Sequence, residues 1–388
     1  MIWYTEFMQI QRSLQKQIKD FLLPGKVLVL YGPRQVGKTT MVKQLVAEIG
    51  RQARFINADE LFYREALASQ DLNRLKNVVG GSELLVIDEA QRVPEIGLNL
   101  KILIDNHPQL SIIATGSASF ELANKISEPL TGRKITFTLY PISYTELVIT
   151  QGEMAARKQL EERLIWGGYP EIVTAVPALR NRLLGELTGS YLFRDLLALE
   201  GIRRADRLVD LLRLLAFQIG YEVSHSELAK NLGINRATVE RYLDLLEKAF
   251  VIYRVGGFSR NLRKEIMKSN RYYFFDNGVR NSLIQNLNPL HLRNDVGQLW
   301  ENFMMIERIK RHEYSGQAVN RYFWRTYDQK EIDLVEETQG RLYGFEFKWR
   351  QGKIKPSVRD EFLGAYSNAE LQVISQDNFT NFLGHIDS

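Results

Sequence analysis

Residues 32–39 read Gly-Pro-Arg-Gln-Val-Gly-Lys-Thr, which fits the G-x-x-x-x-G-K-[ST] spacing in full. The pattern has a physical reason. Gly32 and Gly37 allow backbone conformations and a close approach that a Cβ would block. The N–H groups of the loop can then point inward at phosphate oxygens, and the N-terminus of a following helix adds positive potential. Lys38 is expected to reach the β- and γ-phosphates of ATP, and Thr39 to ligate Mg²⁺. The nucleotide-binding stretch is expected to run through Gly32, Pro33, Arg34, Gln35, Val36, Gly37, Lys38, Thr39 and Thr40. Asp88 and Glu89 can complete such a site, Asp88 by holding Mg²⁺ through water and Glu89 as the general base for an attacking water. A second group of ionisable residues lies far downstream, at Asp333, Glu346 and Lys348. Two carboxylates can bind a hard divalent ion through oxygen, and a lysine can orient or deprotonate a water. Salt bridging across a solvated hairpin face would use the same residues. The five histidines, at 107, 225, 291, 312 and 385, form no pair at ligand spacing, and cysteine is absent, so no zinc site is expected.

The elements that must hold these residues are legible from periodicity. KVLVLY (26–31) is a short apolar run that reads as a buried strand, and the residues from Thr39 to Gly50 carry apolar side chains at helical spacing. The glycine loop therefore sits between a strand and a helix. ELLVIDEAQR (83–92) reads as a second strand, with Asp88 and Glu89 at its carboxyl end. LSIIATGSAS (110–119) reads as a third, ending in Thr115-Gly116-Ser117. Residues 296–312 read as an amphipathic helix carrying Glu301. EIDLVEE (331–337) and RLYGFEFKWR (341–350) read as a hairpin with a turn at Thr338-Gln339-Gly340. Strand alternation places Glu346 and Lys348 on one face, where they can converge with Asp333.

The middle of the chain carries the charge. Net charge is +5, and residues 202–271 alone hold 14 Lys/Arg against 8 Asp/Glu. That surplus suits a polyanionic partner. RLVDLLRLLAFQI reads as one helix, Ser226 is expected to cap ELAKNL, Gly233 makes a turn, and Asn235 caps RATVERYLDLLEKAF. The pattern is a winged helix-turn-helix. Arg236, Thr238 and Arg241 lie where a recognition helix meets DNA, and Arg260, Arg263 and Lys264 lie in the wing. A helical protein-contact module would show the same pattern. Hydrophobic residues at 45% and charged residues at 25% exclude a disordered chain, and 388 residues suggest two or three domains. No stretch is long and apolar enough for a membrane span, and the first residues do not read as a secretory signal, so a cytoplasmic protein is expected.

Together GPRQVGKTT, LLVIDEAQ, IIATGSAS and LTGRKITFTLYPISYTEL resemble the AAA-type P-loop ATPases. They are most similar to a group of bacterial and archaeal ATPases with an appended C-terminal domain of unknown function. The likeness continues through WGGYPE (166–171), YLFRDLL (191–197) and the distal EIDLV and GFEFK. It implies a sensor role for Ser117 and an arginine-finger role for Arg133. The distal hairpin resembles the PD-(D/E)XK nuclease core, with Glu301 as the helix acid, although no proline precedes Glu331-Ile332-Asp333. The expected fold class is α/β. A P-loop AAA-type ATPase domain (1–150) leads through a helical connector (151–204) and a winged helix (205–275) to an α/β nuclease-like domain (276–388). The expected activity is Mg²⁺-dependent ATP hydrolysis coupled to a DNA-binding or nuclease-like region, and a homo-oligomer is the expected assembly. The alternative is an ATP-dependent switch or scaffold with a non-cleaving protein-interaction domain.

Overall fold

The computed structural model describes residues 9–117, 129–192, 204–258 and 270–384. The chain divides into two compact units, Arg12–Tyr140 and a second comprising residues 1–11 and 141–388.

The Arg12–Tyr140 unit is built on a parallel sheet of β1 (Val27–Tyr31), β2 (Ala53–Asn57), β3 (Leu84–Asp88), β4 (Ser111–Thr115) and β5 (Lys134–Thr138). The strand order is β2-β3-β4-β1-β5. The inner strands β1, β3 and β4 are buried almost throughout, as the continuous apolar runs of a parallel sheet covered on both faces require. The edge strands β2 and β5 are mostly half-exposed and lack such a run, so the sequence reading passed over them. The helix Lys38–Ile49 follows β1 and stops at Gly50 in the left-handed conformation. Arg12 ties the unit's ends together: its guanidinium donates to the carbonyls of Val36 at 2.7 Å and Tyr140 at 2.6 Å.

In the second unit, short helices from Tyr144 to Glu186 lead towards a mixed sheet. Its strands are β6 (Glu222–Val223), β7 (Ile252–Gly257), β8 (Asn270–Phe274), β9 (Asn320–Arg325), β10 (Glu331–Thr338), β11 (Arg341–Phe347) and β12 (Ala369–Ile374). They are ordered β12-β11-β10-β9-β7-β8-β6. The strands expected to belong to the winged helix therefore continue into the distal sheet. A short parallel pairing, Gly256 with Tyr322 and Gly257 with Phe323, makes the join.

Helices Ala205–Phe217, His225–Leu232 and Arg236–Lys248 precede β7. Asn235 caps the last of these, its side chain accepting from Thr238 N at 2.7 Å, and Gly233 takes the left-handed turn. The cap of the middle helix is Ser224 and not Ser226. Ser224 has extended backbone and accepts from Glu227 N, whereas Ser226 already lies in the helix's first turn. The β10–β11 hairpin closes through Gln339 and Gly340 at φ 49° and 74°, the positive pair that a two-residue type I′ turn requires. On the other side of β10, pairing with β9 shifts between Ile332 and Val335, an irregularity that spans Asp333 and Leu334. Among the described residues no helix is long and apolar enough to cross a membrane.

Candidate functional site

The carboxyl ends of β1, β3 and β4 gather one group of polar side chains. Gly32 adopts φ 149°, and a Cβ there would collide with the carbonyl oxygen of Leu139, so only glycine fits. Gln35 and Gly37 also have positive φ, at 63° and 90°, which bends the loop into the helix that Lys38 begins. Lys38 is buried, and its ammonium donates to the carbonyls of Gly32 at 2.9 Å and Pro33 at 2.8 Å, which holds it inside the loop. The Thr39 hydroxyl donates to Asp88 Oδ2 at 2.8 Å, and the Thr115 hydroxyl donates to the other carboxylate oxygen. Glu89 sits at φ 54°, ψ 40°, a conformation uncommon outside glycine that turns its side chain sharply off the strand end. Gln91 donates to the Glu89 carboxylate and to Ser117 Oγ at 3.1 Å.

This arrangement fits a magnesium nucleotide. A glycine-dependent loop carries a lysine at its mouth, and a hydroxyl–carboxylate pair stands beneath it. Sequence reasoning assigned no role to Gln91, although it lies two residues after Glu89 in the same run. Arg133 lies elsewhere. It precedes β5, whose first residue pairs with Val27 at the start of β1, so it stands at the opposite end of the sheet from the loop. Five residues at about 3.3 Å each put it roughly 15 Å or more away. There it forms an ion pair with Asp105.

A second group assembles in the other unit. The hairpin register opposes Leu334 to Phe345, which sets Asp333 across from Glu346. Asp333 Oδ2 accepts from Phe347 N at 2.8 Å, and Lys348 Nζ lies 2.7 Å from Glu346 Oε1. Glu301 arrives from the helix Val296–Ser315 and accepts from the Tyr273 hydroxyl at 2.8 Å. The four candidates Glu301, Asp333, Glu346 and Lys348 thus share one site.

Its centre is a residue the sequence reading counted only as surplus charge. Arg271, on β8, is 3% exposed and lies 2.6 Å from Glu331, 3.8 Å from Glu301 and 3.8 Å from Asp333. Alternation along β8 puts Arg271 and Tyr273 on one face, a signal that was present but unused. Burial pushes the Glu301 carboxyl up to about 7 despite Arg271 and the Tyr273 hydrogen bond. Burial, with Glu301 and Glu346 nearby, raises Asp333 well above the usual carboxylate range. Burial opposes the charge of Arg271, but Tyr273 and the surrounding carboxylates raise its pKa overall. Among the described residues no group of three or more His, Cys, Asp or Glu side chains is arranged to hold a metal ion.

The proposed DNA-contacting residues are only partly in view. Arg236 is exposed and ion-paired with Glu240 at 2.7 Å, one turn along its helix. Arg241 is exposed and lies 5.6 Å from the ring of Tyr242. The backbone N–H of Thr238 is taken by the Asn235 cap. Arg260, Arg263 and Lys264 fall outside the described residues.

Comparison with known proteins matches residues 24–148 to the AAA domain. Two further matches are to domains of unknown function, DUF8612 over residues 157–290 and DUF4143 over 296–381. The uncharacterized protein Rv2008c of Mycobacterium tuberculosis is 31% identical over 353 residues, which cover 87% of this chain and 74% of that protein. An uncharacterized protein of Haemophilus influenzae is 25% identical over 349 residues, covering 84% of this chain and 82% of that one. Among solved structures, the Thermotoga maritima RuvB Holliday junction branch migration motor overlaps 63% of this chain and 90% of its own at 18% identity. Its TM-score is 0.34, too low to carry a functional argument. With an AAA domain over residues 24–148 and 31% identity across most of the mycobacterial protein, the chain belongs to the family of Rv2008c.

Proposed function

We propose that the protein is an Mg²⁺-dependent ATPase whose C-terminal unit engages DNA and does not cut it. The observation that carries the first part is the contact of Thr39 with Asp88 beneath the Gly32–Lys38 loop. In this reading the residues from Gly32 to Thr40 hold the phosphates. Lys38 would exchange its loop carbonyls for the β- and γ-phosphates, and Thr39 and Asp88 would hold Mg²⁺. Mg²⁺ would neutralise charge on the phosphate oxygens. Glu89 takes the proton of the attacking water, Gln91 keeps the Glu89 carboxylate aimed, and Ser117 senses the γ-phosphate end. Arg133 serves a neighbouring copy, since its own loop is at the far end of the sheet. The divisions at residues 150, 204 and 275 mark changes of role along the chain.

DNA engagement is supported by the helix-turn-helix pattern of His225–Leu232 and Arg236–Lys248 and by the positive surplus of residues 202–271. A second reading, a nucleotide-dependent switch or scaffold with a protein partner, draws support from the acids on the same helix. Glu240 and Asp244 engage Arg236 and Lys248 there. The deciding experiment measures ATP turnover of the parent and of Glu89→Gln with and without double-stranded DNA. Glu89→Gln should keep nucleotide binding and lose roughly 10²-fold in turnover. Parent-level turnover in Glu89→Gln would remove that residue as the base. A turnover rate indifferent to DNA, with no DNA bound at low salt, would favour the protein-partner reading.

A further inference from the structure

The acid site in the second unit contains a cation supplied by the chain. The Arg271 side chain is 3% exposed, and its guanidinium carbon lies 4.6 Å from the centre of the Phe323 ring. Glu331, Glu301 and Asp333 come from two different elements and meet on this one group, at 2.6, 3.8 and 3.8 Å. A hard divalent ion draws carboxylate oxygens to about 2.0–2.6 Å. Here the acids stand around a planar group several ångströms across. A guanidinium enters a buried site only where nearby charge offsets its lost hydration, and Glu331 at 2.6 Å supplies most of that charge, with Glu301 and Asp333 as the next polar neighbours. One acid oxygen is left over: Glu346 Oε2 is buried and accepts no hydrogen bond, while its other oxygen pairs with Lys348. The set therefore has carboxylates of the type that bind metal, spread too far around the arginine to hold an ion as they stand, and a spare carboxylate oxygen.

We propose that Arg271 is the resident cation of this site and excludes Mg²⁺ and Mn²⁺ while it stays in place. The inference rests on reading Glu301, Asp333 and Glu346 as one metal-type acid group. It explains how a nuclease-like arrangement can persist in a protein that does not cut. Burial favours the neutral forms of Glu301 and Asp333, so with the guanidinium in place little net negative charge is left to attract a divalent ion, and Coulomb repulsion from the guanidinium a few ångströms away keeps it out. Removing the guanidinium should leave the acids free to take the ion.

The test uses Mn²⁺ as the probe on the full chain without nucleotide, with bound ion read by electron paramagnetic resonance. A Thr39→Ala arm removes any contribution from the P-loop. The parent should bind no Mn²⁺ at the distal site. Arg271→Gln should gain one site, with affinity at least about tenfold above the parent. Arg271→Gln combined with Asp333→Asn should lose that gain, and Arg271→Lys, which keeps the charge, should show less of it. If Arg271→Gln is unstable alone, Mn²⁺ should raise its melting temperature. The inference is overturned if the parent binds Mn²⁺ with Arg271 present, or if Arg271→Gln gains no site. It is also overturned if the gain survives loss of Asp333, or if the variant stays unfolded with and without the ion. Because no nucleotide or DNA is present, these outcomes stand apart from those of the turnover experiment. Arg271→Gln with parent-level ATP turnover and no bound Mn²⁺ would overturn this inference and leave the ATPase reading intact.

Discussion

Two carboxylate-bearing sites lie in this chain, and they are built in opposite ways. At the P-loop, the residues that touch one another come from two short runs, 32–39 and 88–91, together with the end of β4. Asp88 there is met by two hydroxyls, groups that can yield to an ion. In the second unit, Arg271, Glu301, Asp333 and Glu346 come from three strands and a helix; a buried guanidinium meets Glu301 and Asp333, and Lys348 meets Glu346. The first site suits an ion that arrives with its nucleotide. The second carries its own cation. A pair of acids is therefore a weak guide to metal chemistry until the group neutralising them is known.

The comparison can be broken most sharply through Arg133. If this residue completes a neighbour's P-loop site, Arg133→Ala should cost on the order of 10³ in turnover. Mixing it with Lys38→Ala should restore activity, because each protein supplies what the other lacks. No recovery in a mixture shown to co-assemble would end the role in trans.

The next effect belongs to the distal site and should leave turnover alone. Glu301 has its pKa raised to about 7 by burial, so the folded state favours its protonated form. The stability it contributes is fully present below about pH 4.5 and is lost as pH rises through about 7. Glu301→Gln cannot ionise and still accepts from Tyr273, so its melting temperature should fall less between about pH 5 and 8. Parallel melting curves for variant and parent across that range would contradict a buried, charge-burdened Glu301.

Smaller effects probe the helices that lie between the two sites in the sequence. If Arg236 and Arg241 neutralise phosphates, replacing both should flatten the log–log salt dependence of DNA binding by roughly two units. An unchanged slope would assign DNA contact elsewhere. Asn235→Ala should cost about 1 kcal/mol by denaturant titration, because it removes the side-chain oxygen that is the shorter of the Thr238 N–H's two acceptors. A negligible change would mean that the cap adds nothing to this helix.

How much of this was legible in the sequence follows the same division. The P-loop, the acids after β3 and the polar end of β4 lie on contiguous runs, so spacing alone located them. The edge strands β2 and β5 were not legible, since a half-exposed ARFIN or KITFT has no buried apolar run to mark it. The hairpin of β10 and β11 and the convergence of Asp333 with Glu346 followed from alternation and turn chemistry. Arg271 did not, because its partners are 30, 60 and 62 residues away, and pairing over such distances leaves no local pattern. The cap of the middle helix falls at Ser224, two residues before the expected Ser226, and its spacing was legible: Glu227 follows Ser224 by the three residues a cap needs and Ser226 by only one. The parallel junction of β7 with β9 was equally invisible, lying across 66 residues of sequence at Gly256 and Tyr322.

That junction sets a rule for dissecting the protein. Cutting after residue 275 looks reasonable on the sequence, between a helix-turn-helix and a nuclease-like half. It would strip β9 of one neighbour and β7 of the other, leaving each fragment an unpaired strand edge beside a hydrophobic face. Such edges recruit further strands, so both halves would be expected to aggregate when expressed alone. A fragment intended for isolated study should instead keep residues 141–384 together, so that the sheet remains whole from β6 to β12 and Asp276, Asn281 and Glu307 keep their buried partners Gly168, Leu164, Ile165 and Tyr144.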